Sequence, residues 1–188
     1  MYYAIAGLLG LVVLGGLGAF LWWWRSGADD PRQVADKKHP RRRFAQGIMF
    51  ILSRGHDYGY SPPAAARGPL NGSWDIHDGA AAIKTIQDLA NSSATAPAEL
   101  AFDLVRAVNV ARLAAGAQYI SQEQSFALVD VACRRLQAGF QSFEQIGELY
   151  AQKAAEWCRE NGITGDDTQQ NVSWCREFEW PEIPFQTP

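Results

Sequence analysis

The longest uninterrupted run of hydrophobic residues stands at the start of the chain. Residues 4–24 contain no charged residue, no proline and no strongly polar side chain. A helix of that length is roughly 30 Å long, which matches the hydrocarbon thickness of a bilayer. The run ends in Trp22-Trp23-Trp24 followed by Arg25, a composition typical of a membrane interface. The pattern therefore predicts a single transmembrane helix at residues 4–24.

Two other interpretations of this run fit less well. A cleaved signal peptide has a basic start, a shorter apolar stretch and small residues at the cleavage site, whereas Met1-Tyr2-Tyr3 carries no side-chain charge. A buried helix of a soluble protein is seldom apolar on every face over this length. The small-xxx-small pairs Ala6/Gly10 and Gly15/Ala19 leave open a homodimer formed through this helix.

Beyond a polar, basic juxtamembrane linker at residues 25–43, hydrophobic residues recur at helical spacing. Phe44, Ile48, Ile51 and Leu52 form one stripe that ends before Gly55. Clustered glycine and proline residues predict a loop at residues 55–73. A second helix is predicted to begin near Trp74.

Capping signals predict three further helices. Thr95 is the expected N-cap of a helix that ends near Ala115, and Ser121 to Gln124 has the pattern of a capping box. Ser142 opens a fifth helix, with Trp157 on its inner face. The following residues are expected to be irregular until Trp174, after which an aromatic terminal segment packs back onto the helices. The fold prediction is all-α: a small bundle of about five helices at residues 44–188, preceded by the transmembrane helix.

Charge divides the chain sharply. Residues 25–54 hold eight basic and three acidic residues, whereas residues 55–188 hold nine basic and seventeen acidic residues, a net charge of −8. Basic residues beside a membrane span favour the cytoplasmic side. We therefore expect a membrane protein with its N-terminus outside and its helical domain in the cytoplasm. The residues expected to contact lipid headgroups are Arg25, Lys37, Lys38, Arg41, Arg42 and Arg43. Nucleic acid is a weaker interpretation of this basic segment, because the acidic domain would repel it.

The sequence contains few residues of the kind that carry catalysis. It has no phosphate-binding loop, no dinucleotide fingerprint and no zinc-protease motif, so we predict no catalytic residue, metal or cofactor. Asp75, His77 and Asp78 lack the spacing of a metal cage, and a carboxylate at a helix start is explained by the helix dipole. Cys133, Cys158 and Cys175 suit a reducing compartment as free thiols. If the orientation were reversed, Cys158 and Cys175 would be the pair expected to form a disulfide.

Asp103 and Arg106 are the most specific polar pair. They lie three residues apart in the apolar segment AFDLVRAVNVAR (101–112) and so share a helix face with Asn109. The simplest interpretation is a partly buried ion pair that fixes helix packing. A role in ligand binding or catalysis is the alternative.

Residues 74–160 resemble the YbeU/YbeR-like bacterial domain of unknown function. The resemblance is carried by six segments in order, namely Trp74-Asp75-Ile76, AFDLVRAVNVAR (101–112), Tyr119-Ile120-Ser121, Leu136-Gln137, Ser142-Phe143-Glu144 and Trp157. The chain has Phe102 and Phe143 where that family favours tryptophan, and Gln118 where it favours glycine. The resemblance implies a helical bacterial domain without an assigned reaction. With the predicted span, it implies a protein of the bacterial inner membrane. Its signature positions here would be Trp74, Asp103, Arg106, Tyr119 and Trp157, forming a core and its polar anchor.

These observations favour a binding or adaptor protein over an enzyme. The expected partner is a protein with a basic surface, and one version of this hypothesis is a neutraliser of a toxic effector. The first alternative is an enzyme of hydrolase type that uses Asp103, Arg106 and Tyr119 near His77. The second is an envelope scaffold that oligomerises through residues 4–24.

Overall fold

The computed structural model describes residues 31–186. The predicted transmembrane helix at residues 4–24 lies outside that range, as does Arg25. Among the described residues, no helix is both long and apolar enough to cross a bilayer. The chain divides into two units, residues 1–35 and 36–188. The described part of the first unit belongs to helix α1, Pro31–Asp36, and everything that follows concerns the second unit.

Between residues 36 and 186 the chain is helical and contains no β-strand, as the sequence predicts. Two single-turn 3₁₀ helices, Tyr58–Tyr60 and Trp180–Glu182, complete it. The α-helices of this unit are α2 (Pro40–Ser53), α3 (Pro63–Ser73), α4 (Gly79–Ala90), α5 (Pro97–Gly116), α6 (Gln122–Gly139), α7 (Phe143–Glu160) and α8 (Thr168–Phe178).

Helix α5 is the centre of the bundle. Its sequence is alanine- and valine-rich on every side, and a helix that is apolar all round must be covered on all faces. Helices α2, α3, α4, α6 and α7 all pack against it. Leu104, Val108 and Ala111 are fully buried on the predicted inner face. This arrangement places two polar side chains of α5, Asn109 and Arg112, in the interior of the bundle.

Helix starts follow the predicted chemistry where a serine supplies the cap. Ser121 accepts a hydrogen bond from the Gln124 amide, and the Gln124 side chain accepts one from the Ser121 amide, so the predicted capping box is confirmed. Ser142 likewise caps α7. The prediction for Thr95 is wrong, because Ala96 occupies the cap position and Pro97 begins α5. A proline needs no amide partner at a first helical position, so this helix starts without a side-chain cap.

The structure corrects three predicted boundaries before α5. The predicted loop at residues 55–73 contains α3, because Pro63 opens a helix readily and an alanine run follows it. Trp74 does not start a helix: Asp75 has a positive φ of 52°, and α4 begins only at Gly79, capped by Asp78. The segment predicted as a linker contains α1 and the first residues of α2, which begins at Pro40.

The C-terminal segment packs back onto the bundle, as predicted. Trp180 is buried against Phe143 and donates a hydrogen bond from Nε1 to the Gly47 carbonyl at 3.1 Å. Ile183 is also buried. The stretch before Trp174, predicted to be irregular, is helical from Thr168 because α8 buries Val172 and Cys175 against α2 and α7.

Candidate functional site: an aromatic pocket around Arg106

A cavity of about 310 Å³ lies between α5, α7 and the loop that joins α7 to α8. Four aromatic side chains and a guanidinium form most of its wall. Trp157 stands at its edge with 41% of its surface exposed, so the prediction that it points inward is wrong. The lining residues are Leu52, Ser73, Trp74, Phe102, Arg106, Asn109, Tyr150, Ala154, Trp157, Cys158, Ile163, Asp166 and Thr168.

The guanidinium of Arg106 lies over two aromatic rings. Its Cζ lies 4.6 Å from the ring centre of Trp74 and 4.6 Å from that of Phe102. Tyr150 stacks in turn on Phe102, with ring centres 5.3 Å apart. Desolvation lowers the pKa of Arg106, although it remains charged at neutral pH. The two rings therefore hold a partly desolvated cation at the cavity wall.

Asp103 is only a distant partner of Arg106. Asp103 Oδ1 is 3.8 Å from Arg106 Nη1, which is too long for a hydrogen bond. Asp103 Oδ2 instead accepts a hydrogen bond from Ser92 Oγ at 2.5 Å. This carboxylate lines a separate groove of about 830 Å³ beside the end of α4 and the middle of α6. The predicted ion pair is thus loose, and each residue faces a different surface.

Asn109 and Tyr150 place two further polar groups on the pocket. Asn109 follows Arg106 by three residues on α5 and is 8% exposed; Tyr150 on α7 is 4% exposed. Within residues 31–186, neither the Asn109 amide nor the Tyr150 hydroxyl has a hydrogen-bond partner. Arg106 also donates no hydrogen bond in that range. The polar atoms of these three residues are not completely buried, so they remain accessible from the cavity.

The loop between α7 and α8 closes one side of the pocket. Gly162 and Gly165 have positive φ angles of 66° and 87°, which allow the chain to turn on both sides of Ile163. Asp166 Oδ1 accepts hydrogen bonds from the Thr168 amide at 3.0 Å and from Thr168 Oγ at 2.5 Å. Burial raises the pKa of Tyr150, and the Asp166 carboxylate raises it further, while Arg106 opposes them. The phenol therefore stays protonated and able to donate.

The predicted signature residues do not form one cluster. Trp74, Arg106 and Trp157 meet at the pocket, whereas Asp103 faces the neighbouring groove. Tyr119 donates a hydrogen bond to Asn71 Oδ1 at 3.2 Å and lies under Arg67. His77 is exposed beside Asp75. The residues of the predicted catalytic alternative thus have separate contacts, and no cluster of three metal-ligand side chains occurs in the described part of the chain.

A second polar cluster, which the sequence analysis missed, lies deeper. Arg112 is fully buried and donates from Nε and Nη2 to Asp57 at 3.0 and 3.1 Å. Its Nη1 donates to Ser125 Oγ at 3.2 Å, and Phe126 and Tyr60 flank the guanidinium. All these groups are satisfied within the protein. The cluster is therefore structural, and it lacks the open face of the pocket.

Negative charge concentrates on α7, α8 and the chain that follows. Residues 144–182 contain nine acidic and three basic residues, a net charge of −6. Three of these acidic residues have cationic partners: Glu148 pairs with Arg176, Glu156 with Lys153 and Glu179 with Arg43. The other six form no ion pair with any described residue, and we call them the acidic surface: Glu144, Glu160, Asp166, Asp167, Glu177 and Glu182. Phe178, 55% exposed, lies on the same helix as Glu177.

Three of the basic residues predicted to contact lipid have acidic partners within the domain. Arg41 lies 3.6 Å from Asp130, and Arg42 lies 2.5 Å from Asp36. Arg43 is 2.9 Å from Glu179, with only 11% of its side chain exposed. Lys38 is exposed. A headgroup role for these residues stays a prediction, and Arg43 has the least surface left for it.

Comparison with known proteins gives one family match. Residues 92–176 match the family described as "Protein of unknown function (DUF1266)". No curated protein and no solved structure matches the chain. The matched range contains α5, α6 and α7, most of the pocket wall and most of the acidic surface. The chain is therefore similar to this family of unknown function over residues 92–176, which are fewer than half of its residues.

Proposed function

We propose that this chain is a membrane-tethered binding protein, and that its acidic surface engages a partner protein with a basic surface. The observation that carries the proposal is the concentration of unpaired carboxylates at residues 144–182. Charges with internal partners produce little external field, whereas unpaired ones attract an oppositely charged molecule over several ångströms. Such complementarity accelerates association and selects partners.

Phe178 supports the same surface. Exposure of 55% of a large aromatic side chain to water is unfavourable, and such residues commonly anchor protein interfaces. It lies beside Glu177 and two residues after Arg176. A basic partner with an apolar recess would satisfy both the charge and the aromatic ring.

The tether belongs to the same proposal. Residues 4–24 would hold the domain at the inner membrane, with the basic residues after the span on the cytoplasmic face. The closer assignment to YbeU/YbeR-like domains within the DUF1266 match is likewise proposed, on the order of the six quoted segments. Neutralisation of a toxic basic effector is one form that this binding function would take.

The test is co-purification from membranes of the native host with two matched triple variants. The first removes three charges of the acidic surface: Glu160→Gln, Asp167→Asn and Glu177→Gln. The control removes three exposed charges elsewhere: Asp75→Asn, Asp88→Asn and Glu123→Gln. Both change the net charge by +3, so a difference between them reports where the charges lie and whether they are paired, rather than the total charge.

The expected result is a specific partner that elutes at high salt, is retained by the control variant and is lost from the first variant. A partner that both variants retain equally would refute the assignment to the acidic surface. Failure to recover any salt-sensitive partner from membranes that hold the wild-type chain would contradict the proposal as a whole.

A further inference from the structure

The pocket around Arg106 has the size and lining of a small-molecule site, and its aromatic and donor side chains play no part in the protein-binding proposal. Its volume of about 310 Å³ stands at the lower end of the 300–1,000 Å³ typical of ligand pockets. Such pockets combine apolar walls with a few convergent polar groups. Here the walls are Trp74, Phe102, Trp157 and Ile163, and the polar groups are Arg106, Asn109 and Tyr150.

The three polar groups share one chemical property, which is that each can donate a hydrogen bond into the cavity. A guanidinium has five N–H donors, a primary amide has two and a protonated phenol has one. Within the described range none of the three donates a hydrogen bond to another residue. An oxygen acceptor held by all three would satisfy them together.

The geometry of Arg106 favours an anionic acceptor. Both rings have their centres 4.6 Å from the guanidinium carbon, and the N–H groups at the edge of the guanidinium donate no hydrogen bond to a described residue. Asp103 does not occupy that edge closely, since it is 3.8 Å away and accepts a hydrogen bond from Ser92. A planar fork of N–H donors matches the two oxygens of a carboxylate.

Asp166 narrows the choice of anion. Its carboxylate lines the same cavity, so a doubly charged phosphate would be repelled more strongly than a singly charged group. One of its oxygens is already held by Thr168, which keeps Asp166 in place.

We propose that this pocket binds a small molecule that carries one carboxylate on a ring-sized apolar body. The carboxylate would lie against Arg106, Asn109 and Tyr150, and the apolar body would lie between Trp74 and Trp157.

The experiment is calorimetric titration of the purified full chain with three carboxylates: benzoate, 3-phenylpropionate and cyclohexanecarboxylate. The neutral amide 3-phenylpropionamide and inorganic phosphate serve as comparison ligands. We expect saturable binding of at least one carboxylate, with the amide and phosphate at least about tenfold weaker, because a hydrogen bond to a charged group contributes more than a neutral one.

Two tyrosine variants separate the pocket from general effects on folding. Tyr150→Phe removes only the hydroxyl in the pocket and should weaken the bound carboxylate by about tenfold. Tyr119→Phe removes the hydroxyl that is bonded to Asn71 and should leave the affinity unchanged. Arg106→Lys keeps the charge without the fork and should weaken binding at least as much as Tyr150→Phe.

The proposal is overturned if none of the three carboxylates binds saturably, if the amide or phosphate binds as tightly as the acid, or if the two tyrosine variants behave alike. Because the acidic-surface variants leave the pocket donors intact, loss of the carboxylate site and loss of the protein partner are separate results.

Discussion

Asp57 and Arg112 form a two-pronged ion pair in which both side chains are completely buried, with nitrogen–oxygen distances of 3.0 and 3.1 Å. The pair joins the segment before the first 3₁₀ helix to the central helix α5. Asp57 Oδ1 also accepts a hydrogen bond from the Gly59 amide at 2.8 Å, so one carboxylate orders the turn and neutralises the arginine. A buried charge that loses its partner is strongly unfavourable.

Replacement of Asp57 by asparagine should therefore lower the free energy of unfolding by about 3–5 kcal/mol. Urea unfolding of the full chain, followed by circular dichroism, measures this change. Asp88→Asn is the control, since Asp88 pairs with Lys84 at the surface, where such pairs contribute no more than about 1 kcal/mol. Similar losses in the two variants would show that the buried pair has no special role.

A substitution at Gly59 tests the packing of the backbone against Arg112. A Cβ atom at this position would lie 2.2 Å from Arg112 Nη2, and the arginine cannot retreat without breaking its bonds to Asp57. Gly59→Ala should lower the free energy of unfolding by about 3 kcal/mol or more, as in the most severe cases of overpacking. Gly72→Ala is the matched control, because its Cβ would meet nothing within 4 Å and alanine favours a helix. A Gly59→Ala melting temperature equal to that of Gly72→Ala would contradict the packing described for Arg112.

The sequence predicts the helices whose starts have side-chain signals, and it fails where long-range packing decides. Ser121 and Ser142 mark α6 and α7 correctly, because an N-cap serine bonds only to residues three positions away. The proline and glycine residues of α3 predict a loop, whereas the segment forms a helix that buries Ala66 and Leu70 against α5. Local propensity is a weak guide where tertiary contacts stabilise the helix.

For the candidate site too, the sequence predicts what depends on local spacing and does not predict what depends on long-range contacts. Helical spacing correctly placed Asn109 on the face of Arg106, yet spacing within α5 could not show that Tyr150 from α7 would complete the pocket. Asp57 and Arg112 are 55 residues apart, so no local pattern connects them. One signal was available: Arg112 is a charged residue in a segment that is apolar on every face, and such a residue needs a partner from elsewhere.

The buried cysteines should make the free energy of unfolding depend on pH in the alkaline range. Burial raises the pKa of Cys133 and of Cys175 to about 12, from an ordinary value of 9.0. Well below pH 9 both thiols are protonated in the folded and unfolded states, so these groups do not make the free energy of unfolding depend on pH there. Between about pH 9 and 12 the unfolded chain loses thiol protons that the folded chain keeps, so the free energy of unfolding should fall.

Cys133→Ala with Cys175→Ala should make that decline shallower in urea unfolding measured from pH 9 to pH 11. The control is Cys158→Ala, because Cys158 is less buried than the other two and should change the slope less. Lysines and tyrosines titrate in the same range but are unchanged by these substitutions, so the difference between curves isolates the thiols. Parallel curves for the wild-type chain and the double variant would contradict the burial of these thiols.

The salt dependence of partner association tests the central claim, that the acidic surface engages a basic protein. The measurement is the association rate constant of the recovered partner, at low and high ionic strength, for the wild-type chain and the two triple variants. The wild-type and control rates should fall by about tenfold or more as salt rises, whereas the rate of the Glu160→Gln, Asp167→Asn, Glu177→Gln variant should be low and nearly independent of salt. A wild-type rate that is insensitive to salt, or equal salt dependence in both triple variants, would contradict the account.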